Sequence, residues 1–188
     1  MNEVTSEAST SALTPHRRQG TPLIGHTRVQ FDELHRLVSA LNADQYTAPV
    51  PVLSKSSIGQ HVRHVLEFYI CLMNAGSDTV DYDSRKRDRA LETDRAAVMG
   101  ALNALRDWMK NIRQDMPMHL LVDHSTDGSG NTRMGTSLYR ELAYAFDHGT
   151  HHMALLRIAV EQHHPGIALD PDFGVAPSTV RDRKNRNA

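Results

Sequence analysis

The sequence has very little cysteine and no long apolar run, and each shortage excludes a class of protein. Cys71 is the single cysteine in 188 residues, so neither an internal disulfide framework nor a cysteine-only zinc site can form. No stretch approaches the roughly 18 apolar residues of a membrane span, and residues 1–20 lack the apolar centre of a secretory signal. We therefore expect a soluble, cytoplasmic protein without a membrane partner.

The chain also lacks an excess of charge of either sign. Its 21 Lys and Arg residues face 22 Asp and Glu residues, which leaves a formal net charge of -1. This balance creates no overall field that would attract nucleic acid, so we expect no nucleic-acid partner. The basic segment "RDRKNR" close to the C-terminus is more typical of an exposed tail than of a binding patch.

The length suits one domain with a flexible segment at each end. Residues 1–20 are rich in Ser and Thr, poor in large apolar residues and without periodicity, so we interpret them as a disordered N-terminal arm. We place the domain at residues 21–180 and a basic tail at residues 181–188.

Apolar residues at steps of three and four predict four long amphipathic helices. We place them at residues 23–41, 58–74, a segment that ends near 113, and 137–162. Ser56 or Ser57 is a plausible N-cap of the second helix. Before the last helix, "HLLVDHSTDGSGNTRMGTS" alternates and then breaks at two glycines, which indicates a short β-hairpin. The predicted fold is all-α, a four-helix bundle with this hairpin.

Histidine, in contrast, is abundant, and the last helix contains "DHGTHHM". At about 100° per residue, His148 and His152 share one inward face with Glu141 and Tyr144, while His151 lies at the edge of that face. Two imidazoles one turn apart can bind one metal ion. Core histidines that hydrogen-bond to neighbouring groups are the alternative, and with 12 histidines in the chain the spacing alone does not decide.

The second helix offers further ligands in a narrow arc between its apolar and polar stripes. This arc contains His61, His64, Phe68 and Cys71, a mixture that suits the wall of a pocket between helices. A metal needs at least one ligand beyond the pair in the last helix, and either histidine could supply it. They could equally be boundary residues that hydrogen-bond to solvent.

Two segments in this order, "SSIGQHVRHVLEFY" and "RELAYAFDHGTHHMALLRI", resemble the DinB-like superfamily of metal-binding four-helix bundles. The resemblance extends over residues 23–183 and includes "YDSRKRDRALETD" and "FGVAPSTVR". It implies that three histidines bind a divalent metal, one from the second helix and two from the last. On this chain the implied ligands are His64, His148 and His152.

Three neutral imidazoles leave a coordination position open on Zn, Fe, Ni or Mn, and an open position is typical of catalytic sites. The resemblance implies a metal-dependent enzyme with a small-molecule substrate, of the thiol S-transferase or hydrolase type. The alternative is a non-catalytic bundle that binds metal or a small ligand, and in either case we expect a homodimer. The candidate catalytic residues are His61, Glu141 and Tyr144.

A run of charged residues precedes the third helix and offers a second, weaker site. Asp83, Arg85, Arg87 and Arg89 could line the mouth of a pocket and hold an anionic substrate. A charge run is more often a solvated helix entrance, and this alternative stays open.

Overall fold

The computed structural model describes residues 21–186. It contains seven α-helices, a short 3-10 helix at Pro51–Leu53 and three β-strands, all counted within that range. The order along the chain is α1 (Thr21–Ala40), α2 (Ala43–Thr47), α3 (Ile58–Ala75), β1 (Thr79–Asp81), α4 (Ala90–Thr93), α5 (Arg95–Asn111), β2 (Pro117–Asp123), β3 (Asn131–Ser137), α6 (Leu138–His163) and α7 (Pro177–Arg186). The predicted disorder of residues 1–20 lies outside the described residues.

Four long helices, α1, α3, α5 and α6, pack as the predicted helical bundle. Their apolar stripes form one continuous core, in which Phe31, Leu66, Leu102 and Leu156 are fully buried. Burial of these stripes is the main source of helix stability, because isolated helices of this length are marginal in water. None of the helices within residues 21–186 combines the length and the apolar character that crossing a membrane requires.

The N-terminus of α3 is stabilised by the residues that the sequence indicated. Ser57 is the N-cap, and its hydroxyl accepts a hydrogen bond from the backbone N–H of Gln60. The side chain of Gln60 accepts in return from the backbone N–H of Ser57, which completes a capping box. Since capping satisfies two N–H groups that have no partner within the helix, it defines where α3 begins.

The predicted hairpin is present, and it is part of a larger sheet than predicted. β2 and β3 pair antiparallel with Pro117 opposite Ser137, and β1 joins β2 in parallel. Three further short helices were also not predicted: α2, α4 and the C-terminal α7, which occupies most of the segment interpreted as a basic tail. The segment between β1 and α4 connects the sheet to the bundle and lies against the middle of α3, where the backbone N–H of Asp88 donates to Glu67.

Candidate metal centre

Three histidines from two helices meet inside the bundle. α3 contributes His64, and α6 contributes His148 and His152, which lie one helical turn apart. Each offers a ring nitrogen, and the three nitrogens lie within 4.8 Å of one another. These are the residues that the family resemblance implied as metal ligands, and the packing of α3 against α6 brings their partly buried rings together.

The imidazole nitrogens of this cluster, together with those of the neighbouring His61, face each other at hydrogen-bond distance. Nε2 of His64 lies 2.9 Å from Nε2 of His148, and Nδ1 of His61 lies 3.1 Å from Nδ1 of His152. A neutral imidazole has one N–H donor and one acceptor nitrogen. Each contact is therefore satisfied either by a suitable pair of tautomers or by a cation that takes the lone pairs.

Burial keeps these histidines in their neutral form. It is the largest cause that lowers the pKa of His64 to about 4 and the pKa of His152 to about 3, and the neighbouring histidines act in the same direction. The pKa values of His61 and His148 are also lowered, first by burial and then by His151. At neutral pH the cluster thus presents unprotonated nitrogens, which is the form that metal binding requires.

Aromatic rings cover one side of the cluster. The ring of Phe68 lies 4.2 Å from the ring of His148, between centroids, and stacks on Tyr82 at 4.8 Å. Tyr144 stacks on His148 at 5.9 Å and is 41% exposed. The cluster is therefore apolar on its inner side and opens to solvent beside the ring of Tyr144.

Arg85, from the segment between β1 and α4, borders the cluster on the α3 side. Its Nη2 lies 3.1 Å from Nδ1 of His64, and its guanidinium carbon lies 4.9 Å from the centroid of the Phe68 ring. Nη1 donates to the carbonyl oxygen of Tyr82 at 2.5 Å. The charge run was interpreted from the sequence as a possible anion site or a solvated helix entrance, whereas this member of it is mostly buried, with 11% of its side chain exposed.

Glu141, one of the candidate catalytic residues, is fully buried and has partners for both carboxylate oxygens. Oε2 accepts from the Tyr82 hydroxyl at 3.0 Å, and Oε1 accepts from the Thr136 hydroxyl at 2.6 Å and from Arg140 at 2.8 Å. Burial and this carboxylate raise the pKa of Tyr82. The network joins the β1–α4 segment, β3 and α6, so Glu141 supports the fold beside the cluster.

The other two candidates, His61 and Tyr144, touch the histidine cluster directly through the contacts given above. His151 is exposed, and its ring centroid lies 5.4 Å from that of His152. Cys71 belongs to the same arc of α3, but its thiol donates to the carbonyl oxygen of Asp81 at 3.2 Å, and burial raises its pKa. Cys71 is therefore held as a protonated thiol.

Tyr82 was not singled out from the sequence. Its signal was its place in "YDSRKRDRALETD", where a buried aromatic residue interrupts a charged run. Tyr82 lies in a loop and contacts both α3 and α6, and such tertiary contacts cannot be predicted from the periodicity of the sequence.

The donor set suits a divalent transition metal. Within residues 21–186 the cluster consists of three imidazoles with no carboxylate or thiolate among them. Imidazole is a common ligand of Zn, Fe and Ni, and three protein ligands are the number that catalytic zinc sites use.

The chain matches a family model described as the DinB superfamily over residues 26–156. FK506-binding protein 5 of Rhizopus delemar is 29% identical to it over 111 residues, which are 57% of this chain and 28% of that protein. The chain thus spans less than a third of the length of this curated relative. No solved structure shows significant similarity to the chain. Since the family match covers most of the chain and includes His64, His148 and His152, the chain belongs to the DinB superfamily.

Proposed function

We propose that the protein binds one divalent metal ion through His64, His148 and His152, and that it is a metal-dependent enzyme of the thiol S-transferase or hydrolase type. The observation that carries the proposal is the convergence of three neutral imidazole nitrogens within 4.8 Å. Membership of the DinB superfamily supports it. A bound divalent ion would supply Lewis acidity at an open coordination position, which acidifies a water molecule or a thiol there.

The residues around the cluster have separable roles in this proposal. The ring of His61 can accept a hydrogen bond from Nδ1–H of His152, which leaves Nε2 of His152 to bind the ion and fixes the ring. Phe68 packs on His148 and limits water on the inner side. Tyr144, at the exposed side, is placed to contact a small-molecule substrate that approaches from solvent.

Metal content tests the ligand assignment. Protein purified without a histidine tag should contain about one equivalent of metal by mass spectrometry. Replacing His64, His148 or His152 with Ala should remove most of it, because two imidazoles form only a weak partial set of ligands. His61→Ala and His151→Ala should retain most of it. Equal retention by all five variants would contradict metal binding, and equal retention by His64→Ala and His61→Ala would show that the ligand from α3 is misassigned.

Activity assays then separate an enzyme from the alternative, a non-catalytic metal-binding bundle. The metal-loaded protein should be given low-molecular-weight thiols with an electrophile, and separately activated esters and amides. Turnover that disappears in His148→Ala supports the enzyme. Stoichiometric metal with no turnover across both panels would favour the non-catalytic bundle.

We also propose that the protein forms a homodimer. Ile158 on α6 and Val29 on α1 are large, exposed side chains that a second copy could cover. Sedimentation velocity at micromolar concentration should give twice the mass of the chain. A monomer at all concentrations would exclude the dimer without affecting the metal site.

A further inference from the structure

Arg85 is fixed beside the histidine cluster by contacts with a backbone oxygen, an aromatic ring and a carboxylate. Nη1 donates to the carbonyl oxygen of Tyr82, and the guanidinium lies over Phe68. Nε lies 3.6 Å from Oε2 of Glu67, which is 2% exposed. These contacts leave Nη2 directed at Nδ1 of His64, 3.1 Å away. The position of the charge is thus determined by buried groups and not by a mobile surface side chain.

In its contact with Arg85, His64 accepts a hydrogen bond, whereas a histidine that binds a metal usually donates one. A guanidinium only donates hydrogen bonds, so Nδ1 of His64 must accept, and the proton of the neutral ring then lies on Nε2. Histidines that bind a metal through one nitrogen normally donate the N–H of the other to an acceptor. Nδ1 of His61 can serve as such an acceptor for His152, whereas Nδ1 of His64 faces the donor Arg85.

The positive charge of Arg85 is incompletely balanced. Its nearest carboxylate is Glu67, which lies 3.5 Å from Arg63 as well and also accepts the backbone N–H of Asp88. Arg63 has its own close partner in Glu92, at 2.5 Å. One shared carboxylate at 3.6 Å leaves net positive charge on the α3 side of the cluster, where burial limits screening by solvent.

We infer that Arg85 is a positioning residue that weakens the binding of a divalent cation at the three histidines and strengthens the binding of an anion beside that cation. The inference rests on the proposed metal site and concerns the charge of its substrate, which would be a small molecule that binds as an anion. A fixed cation repels a second cation and attracts an anion, and its donor opposes the tautomer that His64 needs. The metal is then held most tightly together with its anionic ligand.

Four substitutions separate the charge of Arg85 from its hydrogen bonds. Arg85→Lys keeps the charge, Arg85→Met removes charge and donors, and Arg85→Gln removes the charge but offers an oxygen that can accept from Nδ1–H of His64. Arg87→Met is the matched control, because this exposed arginine is two residues away in the same segment. Circular dichroism and thermal melts establish which variants fold.

The first measurement is the affinity for Co²⁺ by competition with a chelator. Arg85→Met should bind Co²⁺ about tenfold more tightly than the wild type, and Arg85→Gln at least as tightly as Arg85→Met. Arg85→Lys and Arg87→Met should stay within about threefold of the wild type, since the first keeps the charge and the second removes a solvated one.

The second measurement is the affinity of the Co²⁺-saturated protein for 2-mercaptoethanol and for azide, followed by the visible absorption of the metal. Arg85→Met and Arg85→Gln should bind both probes about tenfold more weakly, and Arg85→Lys should recover most of the loss. A merely structural role for Arg85 would change the thermal melts without moving the two affinities in opposite directions.

The outcomes distinguish this inference from the proposed function. A wild type that binds no Co²⁺ overturns both. A wild type that binds Co²⁺, with unchanged metal and anion affinities in Arg85→Met and Arg85→Gln, overturns the inference and leaves the metal site intact. Arg85→Lys behaving like Arg85→Met would overturn the role of the charge. If Arg85→Met does not fold, Arg85→Gln decides alone.

Discussion

Helix α6 carries a polar cluster on each of two opposite sides, and the two differ in how completely their hydrogen bonds are matched. On one side, Gln30 of α1 is 3% exposed and fully partnered. Its Nε2 donates to the carbonyl oxygen of Phe146 and to the hydroxyl of Thr150, both at 3.1 Å, and its Oε1 accepts from the Tyr69 hydroxyl at 2.6 Å. On the other side histidine nitrogens face each other: Arg85 makes His64 the donor in its contact with His148, whereas either ring can donate in the contact between His61 and His152.

The difference indicates which cluster supports the fold and which is available for a ligand. Burying polar groups is tolerated when each has a partner, and the Gln30 cluster meets that condition from the protein alone. The histidine cluster would be stabilised most by a bound cation, which would accept the lone pairs of its ring nitrogens. A cavity of about 420 Å³ lies beside the Gln30 cluster and is lined also by Glu33 and Val180, and its lining includes none of His64, His148 and His152.

The largest expected effect is the stabilisation of the protein by metal through the histidine side only. At a free Zn²⁺ concentration about 1,000 times the dissociation constant, binding should add about 4 kcal/mol to the free energy of unfolding. Thermal denaturation with Zn²⁺ and with a chelator measures the difference. His148→Ala should abolish this difference. Retention of the full shift in His148→Ala would place the metal elsewhere.

A substitution in the Gln30 cluster should lower the stability of the metal-free protein and leave the stabilisation by Zn²⁺ unchanged. Gln30→Ala removes the acceptor of the buried Tyr69 hydroxyl and leaves a void, so the free energy of unfolding should fall by about 3 kcal/mol. Urea denaturation measures this loss, with Gln114→Ala, an exposed site, as the control at about 0.5 kcal/mol or less. The shift produced by Zn²⁺ should persist in Gln30→Ala; its disappearance would show that the two clusters are not independent.

The four long helices were predictable because their apolar period reflects one-sided burial, and the capping box at Ser57 marked where α3 begins. β1 was not predictable, since three residues carry too little pattern and its pairing partner, β2, is remote in the chain. α7 has no buried residue, so it carries no apolar period. The sequence therefore revealed elements with their own amphipathic signal and missed those that depend on context.

The site was predictable in its residue types and only partly in its contacts. The spacing of His148 and His152 placed both on one face, which is a local property of α6. On α3, His61 and His64 share an arc, and periodicity alone does not separate them. In the structure His64 contacts both histidines of α6, whereas His61 contacts His152. That distinction, like the burial of Arg85, comes from tertiary packing.

Acidification should lower the free energy of unfolding of the metal-free protein through His64 and His152. The pKa values of His64 and His152 are lowered from 6.5 to about 4 and about 3, so the unfolded chain binds more protons than the folded one below pH 6.5. This contribution is complete above pH 6.5 and is lost as the pH falls towards 4. With allowance for partial exposure, the loss should be about 2 kcal/mol in all. Melting temperatures from pH 7 to pH 5 measure it, and His152→Gln should flatten the dependence.

Glu33, which lines the cavity beside the Gln30 cluster, makes the free energy of unfolding change with pH in the opposite direction. Its carboxyl group must therefore be removed to measure the effect of the histidines alone. Burial, followed by the nearby Asp170, raises its pKa from 4.5 to about 7. The folded state therefore binds the extra proton, and the free energy of unfolding rises as the pH falls from 7 towards 4.5. In a Glu33→Gln background the acid-induced loss should be steeper than in the wild type. If stability changes with pH in the same way in the Glu33→Gln background and in the wild type, Glu33 does not oppose the effect of the histidines.

The smallest expected effect is that of replacing His61, which contacts the proposed ligand His152 but is not itself a proposed ligand. His61→Ala should weaken Zn²⁺ binding about tenfold, because His152 loses the acceptor that orients its ring, while saturation at one equivalent is retained. His61→Gln offers an amide oxygen as acceptor and should recover part of the loss. His151→Ala, at the exposed neighbour of His152, should change the affinity by less than about threefold and serves as the control. Competition with a chelator measures all three constants. A loss in His61→Ala as large as that in His64→Ala would make His61 a ligand, and the histidine side would then contain four metal-binding imidazoles.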